Sequence, residues 1–150
     1  MPSIATLSDV PGIETDDEKL HQDIAARIAA LQPEYEACTK QYLGRARQAL
    51  EAARALPGDR QPEIEKISRI AHNFRGQGSS FGYDLITLVC DSLYTFIRHL
   101  PDATDDDLKV IDLHLGAVAM VLEKRIRGSG GQFADTLRDK LENMIAASRA

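Results

Sequence analysis

The chain has 150 residues, a length that suits one domain with a sizeable buried core. Hydrophobic residues make up 43% and charged residues 27%, with no tryptophan and 5% aromatics, so the core must be built mainly from aliphatic side chains and alanine. A formal net charge of -5 argues against nucleic acid, whose binding depends on neutralising phosphates, and against an anionic membrane surface.

Residues 1–14 hold two prolines and a glycine without a clear period and are expected to form a flexible arm ahead of a single helical domain over 15–150. Thr15-Asp16-Asp17-Glu18 matches a capping box with acids where a helix dipole favours them. Leu20, Ile24, Ile28 and Leu31 then form one face of a helix that should end or bend near Pro33. A second helix is expected from about Pro33 to Leu56, burying Tyr35, Cys38, Tyr42, Ala46, Ala49 and Ala53, before Pro57-Gly58-Asp59 breaks it.

The third helix should start near Gln61-Pro62 and stop near Gly82, which suits a left-handed C-terminal position. Its apolar positions Ile64, Ile67, Ala71, Phe74, Gly78 and Phe81 are spaced three, four, three, four and three, as in a helix packed into a bundle. Gly78 falls on that seam and reads as a site of close helix packing. His72 lies one residue past the seam, flanked at helical spacing by Ser68, Arg69, Arg75 and Gly76, with Ser79 a further turn along. Two interior glycines, each costing roughly 1 kcal/mol against alanine, point to a surface that must stay bare.

A fourth helix over about Asp84 to Leu100 carries Ile86, Val89, Cys90, Leu93 and Ile97, with Leu85, Leu88 and Phe96 widening the apolar face. Thr104 followed by Asp105, Asp106 and Asp107 caps a fifth, whose seam is Leu108, Ile111, Leu115, Val118 and Leu122 and whose end is marked by Lys124, Arg125 and Arg127. Gly128-Ser129-Gly130-Gly131 is a flexible break before a last helix with Phe133, Leu137, Leu141 and Met144 on one side. Strand-like alternation is missing throughout. The fold class is therefore all-α: an up-and-down antiparallel four-helix bundle with accessory N- and C-terminal helices, expected to use the second to fifth helices with the first capping one end, or the last in place of one of them.

The stretch around His72 resembles the signature of histidine-containing phosphotransfer domains. A helical His72 is preceded by Ala71 and followed by a basic residue three on (Arg75), glycine four on (Gly76) and a hydrophobic-glycine pair nine and ten on (Phe81, Gly82). Leu85, Cys90 and Leu93 continue the resemblance into the next helix. It implies a phosphocarrier of a two-component multi-step phosphorelay, shuttling a phosphoryl group through His72 between aspartates of receiver domains. The partners would be receivers of response regulators or hybrid histidine kinases. Arg75 would supply a cation to the transferring group, whose charge spreads over its equatorial oxygens. Gly76 would leave room for it, and Ser68, Arg69, Asn73, Gln77 and Ser79 would border the docking surface.

Three departures from that pattern stand out. Arg75 replaces the common lysine, keeping the charge with a different donor geometry. Gln77 stands where small residues are frequent. Chemotaxis-kinase members carry a His and a Glu on the following helix, and the matching positions here are Asp91 and Tyr94. That favours a shuttle between receivers over a kinase-coupled role. No cofactor is expected in the chain itself, with Mg expected in the partner receiver. The competing readings are a helical adaptor that docks receivers or other signalling partners without accepting phosphate and, behind it, a helical phosphatase for which no catalytic pair stands out.

Cys38 and Cys90 read as small buried hydrophobes, and His21, His99 and His114 show no metal-ligand spacing. The N-terminus lacks a signal-peptide pattern, so the expected location is cytoplasmic. Either accessory helix could mediate dimerisation, with a monomer the simpler expectation.

Overall fold

A computed structural model describes residues 13–149, and among these the regular structure is helical throughout. The elements are α1 (Ile13–Ala55), α2 (Gln61–Gln77), a 3-10 turn (Ser79–Phe81), α3 (Asp84–Arg98), α4 (Asp105–Glu123) and α5 (Gln132–Ser148). Residues 1–12 of the expected arm lie outside the described residues, while Ile13 and Glu14 are already helical. Thr15 is consequently inside α1 and not at its N-cap.

The two helices expected on either side of Pro33 are one continuous helix. Proline removes one backbone donor and strains the turn before it, but the turns on both sides still supply the remaining bonds. The chain divides into two compact units, the first ending at Tyr35 and the second beginning at Glu36, a division that falls inside the stretch expected as one domain. In the first unit Leu20, Ile24, Ile28 and Leu31 are exposed. The stripe expected to pack stays open because α1 is the only described element of that unit.

In the second unit, α2 packs on α3, α3 on α4 and also on α5, and α4 on α5. The C-terminal part of α1 adds Leu43, Ala46, Ala49, Leu50 and Ala53 to the buried set. Arg47 and Arg54 of that part both reach Asp112 of α4, at 3.3 and 3.4 Å. The seam here differs from the one expected. Thr39, Leu43, Ala46 and Leu50 face inward, whereas Cys38 and Tyr42 are exposed. A polar threonine in the true stripe and a tyrosine in the neighbouring one shift the apparent phase by one residue. Cys90 is buried as expected, and burial pushes its thiol up to about 12.

Helix α2 buries Ile64, Ile67, Ala71 and Phe74, and α3 buries Leu85, Ile86, Val89, Cys90, Leu93, Phe96 and Ile97. The whole expected seam of α4 is buried, and Thr104 caps it as expected, in a capping box: its side chain accepts from Asp107 N–H while the Asp107 carboxylate accepts from Thr104 N–H. Helix α5 buries Ala134, Leu137 and Leu141, with Phe133 partly exposed.

Two buried polar residues tie these helices together. Arg60 caps the α1–α2 turn, donating to the Ala53 and Ala103 carbonyls at 3.0 and 2.9 Å and pairing with Asp105. His114 of α4 is fully buried, its Nδ1 2.7 Å from the Val110 carbonyl and its Nε2 3.0 Å from Ser92 Oγ on α3. A carbonyl only accepts, so Nδ1 carries the proton and Nε2 accepts from the serine hydroxyl. Desolvation lowers the His114 pKa below 6.5, against a smaller opposing effect of the Val110 bond. The unfolded chain then binds this proton more readily than the folded one. The stabilisation is fully present above about pH 6.5 and is lost as pH falls below it. The melting temperature should therefore drop between pH 7 and 5, and His114→Gln should flatten that part of the thermal-melt pH profile. An equal slope in the variant would remove His114 as its cause.

Candidate functional site

Burial of Ala71 and Phe74 turns the opposite side of α2 outward, and His72 is exposed on it. Asn73, Gly76 and Gln77 are exposed beside it, and Arg75 is half-buried. The imidazole is not isolated. Arg75 Nη2 lies 3.1 Å from His72 Nδ1, and Arg75 Nη1 lies 3.3 Å from Asp91 Oδ1 on α3. The guanidinium carbon sits 4.5 Å from the centre of the Tyr94 ring, itself 5.2 Å from the His72 ring. Arg98, one turn past Tyr94, donates to the Tyr94 hydroxyl at 3.1 Å.

A guanidinium offers only donors, so in this contact Nδ1 of His72 is the acceptor. In the neutral ring the proton then sits on Nε2, which has no hydrogen-bond partner among the described residues. Asp91 and Tyr94 of α3 thus hold the arginine and flank the imidazole. Arg98 is a member of this cluster that helical spacing on α2 alone could not reveal, since it lies across the α2–α3 interface.

A groove of about 500 Å³ runs along this side between α2 and α3, and Ser68, Arg69, His72, Asn73, Tyr94 and Arg98 all line it. Four of the residues singled out in the sequence are thereby brought together. Gln77 and Ser79 lie outside the groove. Ser79 is also committed elsewhere: its backbone N–H and its hydroxyl both bond Thr87 Oγ1, at 3.0 and 3.2 Å.

Gly76 of the motif and Gly78 of the apolar seam have different surroundings. A Cβ at Gly76 would meet nothing within 4 Å. At Gly78 it would lie 2.5 Å from Thr87 Oγ1 and 2.9 Å from the Tyr83 carbonyl, so here α2 and α3 approach too closely for any side chain. Gly82 closes the segment in a left-handed conformation with φ of 83°. Beyond it, the loop after α4 braces the turn. Gly128 N–H donates to the Gly82 carbonyl at 2.8 Å and Arg127 donates to the Phe81 carbonyl at 2.9 Å. Tyr83 is buried and donates to Glu36 at 2.6 Å, while Arg125 pairs with the same carboxylate at 3.3 Å. Burial, then the Glu36 bond and charge, push the Tyr83 phenol up to about 12. Lys124 is the C-cap of α4, as the reading of a helix end implied, and Arg125 and Arg127 just past it also serve as these braces.

The family profile described as Hpt domain matches residues 35–150. The chain belongs to the Hpt domain family. The match begins where the second compact unit does, within one residue. Searches among curated proteins and among solved structures gave no match. Membership gives the protein a phosphotransfer-related signalling role in two-component systems, in a family that typically interacts with receiver domains. Among the described residues no helix is long and apolar enough to cross a membrane, and no group of three or more His, Cys, Asp or Glu is arranged to hold a metal.

The contrast between the glycines is measurable. Gly76→Ala should keep or raise stability, by up to about 1 kcal/mol, because the helix gains and nothing is struck. Gly78→Ala should lose about 1–3 kcal/mol by overpacking the α2–α3 contact. Chemical denaturation of the two variants checks both signs, and equal effects would contradict the packing argument.

Proposed function

We propose that the protein is a phosphocarrier of a multi-step relay, accepting a phosphoryl group on His72 from an aspartyl phosphate of one receiver domain and passing it to an aspartate of another. The observation that carries this reading is the exposed imidazole with open space beside it: His72 on the outer side of α2 and, one turn on, a glycine whose missing side chain leaves at least 4 Å clear. In the transfer, the N–P bond to the imidazole forms as the P–O bond to the aspartate breaks, and the carboxylate leaves with the electron pair. Arg75 stabilises the charge on the transferring group from the carrier's side.

The chain brings no cofactor of its own in this scheme. The metal, Mg, and the remaining catalytic groups belong to the receiver, which makes the protein a transfer partner and not an autonomous kinase. The groove lined by Ser68, Arg69 and Asn73 borders the docking surface, with Gly76 and Gln77 at its near edge. We assign the C-terminal part of α1 together with α2, α3 and α4 to the four-helix core, with α5 accessory to it, and a cytoplasmic location follows from receivers as partners.

His72→Gln should abolish phosphoryl acceptance while shifting stability within about 0.5 kcal/mol, the usual range for an exposed site. Incubation with a phosphorylated receiver and intact-mass measurement checks this, and full incorporation in the variant would move the site elsewhere. Gly76→Gln should preserve the fold but fill the space that a receiver's phosphoaspartate must enter. A displacement of about 1 Å can cost 100-fold in rate, so transfer from receivers should fall steeply. Phosphorylation by phosphoramidate, which needs no docking surface, should fall less. Equal losses with both donors would count against docking at this position.

A further inference from the structure

We propose that Arg75 is a latch on the phosphoacceptor and that Asp91, on the neighbouring helix, is the residue that positions it. The inference rests on the reading of His72 as the phosphoryl carrier. The guanidinium is held from three sides, by Asp91 Oδ1 at 3.3 Å, by the face of Tyr94 at 4.5 Å, and by His72 Nδ1 at 3.1 Å. Because arginine has no acceptor, the last contact requires an unprotonated Nδ1 and places the neutral ring's proton on Nε2. Nε2 is the ring nitrogen without a partner among the described residues, and in this tautomer it has no lone pair to offer phosphorus.

Attack through Nε2 needs the other tautomer, with the proton on Nδ1. An Nδ1–H and a guanidinium N–H cannot share the 3.1 Å between them, so Arg75 must leave Nδ1 before the imidazole can react. The same contact opposes the return step. Neutral imidazole with its proton on Nδ1 attacks phosphorus, the N–P bond forms, and the aspartate leaves with the pair of the broken P–O bond. The ring is then a cation that gives its Nδ1 proton to water, and Arg75 can donate to Nδ1 again. To give the group back, Nδ1 must first take up a proton from water; the N–P bond then breaks with its pair remaining on Nε2. Arg75 on Nδ1 disfavours both the reactive tautomer and that protonation, so it holds the carrier inert in both directions.

What opens the latch is the phosphoryl group a receiver brings. Arginine pairs with an anionic phosphoryl group through two parallel N–H···O bonds, whereas Nδ1 offers a single neutral acceptor, so the guanidinium moves from Nδ1 to the phosphoryl oxygens. Asp91 keeps it near but not fixed, since the side chains are 32% and 61% exposed and such pairs contribute little.

The test uses the intact chain, 15N-labelled, with the ring nitrogens of His72 observed by NMR and phosphorylation by phosphoramidate followed in parallel. Asp91→Asn removes the anchoring carboxylate and leaves the arginine. Asp84→Asn, two turns earlier on α3, removes the same charge from an exposed position with no bond to Arg75. Asp91→Asn should move the Nδ1 resonance away from its hydrogen-bonded position, and should speed both phosphoryl acceptance and hydrolysis of phospho-His72 by about 1.5- to fivefold, the range an exposed ion pair allows. Tyr94→Leu, which removes the ring beneath the guanidinium, should act in the same direction. Asp84→Asn should leave all three readouts unchanged. An unmoved Nδ1 resonance with unchanged rates in Asp91→Asn, or equal changes in Asp84→Asn, overturns the latch. A wild-type spectrum that shows the Nδ1 contact in a protein that takes no phosphate on His72 would instead overturn the carrier reading while leaving the contact in place.

Discussion

The rotation of α2 against α3 governs everything the site can do. Ile64, Ile67, Ala71 and Phe74 face inward, and Gly78 brings the two backbones to a distance that excludes even a methyl group. With about 100° per residue, that choice of buried side leaves His72 and Gly76 on the outer surface and aims Arg75 across the interface toward Asp91 and Tyr94. A different residue at position 78 would force the helices apart at the end nearest the 3-10 turn, and the imidazole would shift with the helix that carries it. The glycine needed for packing and the glycine with open space beside it are two residues apart and have opposite surroundings.

Polar contacts around this interface fall into two strengths. Tyr83 is buried and donates to a carboxylate at 2.6 Å, and hydrogen bonds to charged groups contribute about 1.5–3 kcal/mol. The braces from Arg127 and Gly128 add to it, so the turn that ends the motif is anchored to the loop after α4. The Arg75–Asp91 pair is of the other kind. It is solvent-exposed, where ion pairs contribute about 0–1 kcal/mol, so it can orient a guanidinium without holding it against a competing anion. A firm anchor at the C-terminal end of α2 and a loose one over the imidazole suit a site whose scaffold must stay still while one side chain moves.

Two histidines show how the same ring takes opposite roles. His114 has a carbonyl at Nδ1 and a serine hydroxyl at Nε2, both satisfied and away from water. Its tautomer carries the proton on Nδ1, and desolvation favours the neutral form. His72 has a donor at Nδ1, the reverse tautomer, and an open Nε2. Burial and satisfied partners make the first a structural cross-link between α3 and α4. Exposure leaves the second ring open to a partner, with a lone pair on Nε2 only when the arginine is off Nδ1.

The sequence by itself determined the helical class, the existence of α2 to α5, the cap at Thr104 and the identity of the His72 segment, because each is carried by local periodicity, by capping chemistry or by residues within one or two turns. It also distinguished the packing role of Gly78, since that residue falls on the apolar seam. Tertiary structure alone decided what needed a partner element. The phase of α1 around Cys38 and Tyr42 depended on which of two adjacent stripes met a neighbour, and with cysteine and tyrosine in one and threonine and leucine in the other, periodicity left them nearly equal. Pro33 reads locally as a break, yet α1 continues through it. Arg125 and Arg127 read in the sequence only as a helix end and Arg60 has no local signal, and all three become anchors only when loops distant in sequence meet. The arginine on Nδ1 of His72 belongs to this second group as well. Spacing places Arg75 one turn from the imidazole, but only the packing of α3 supplies the carboxylate and the aromatic face that direct the guanidinium onto that nitrogen.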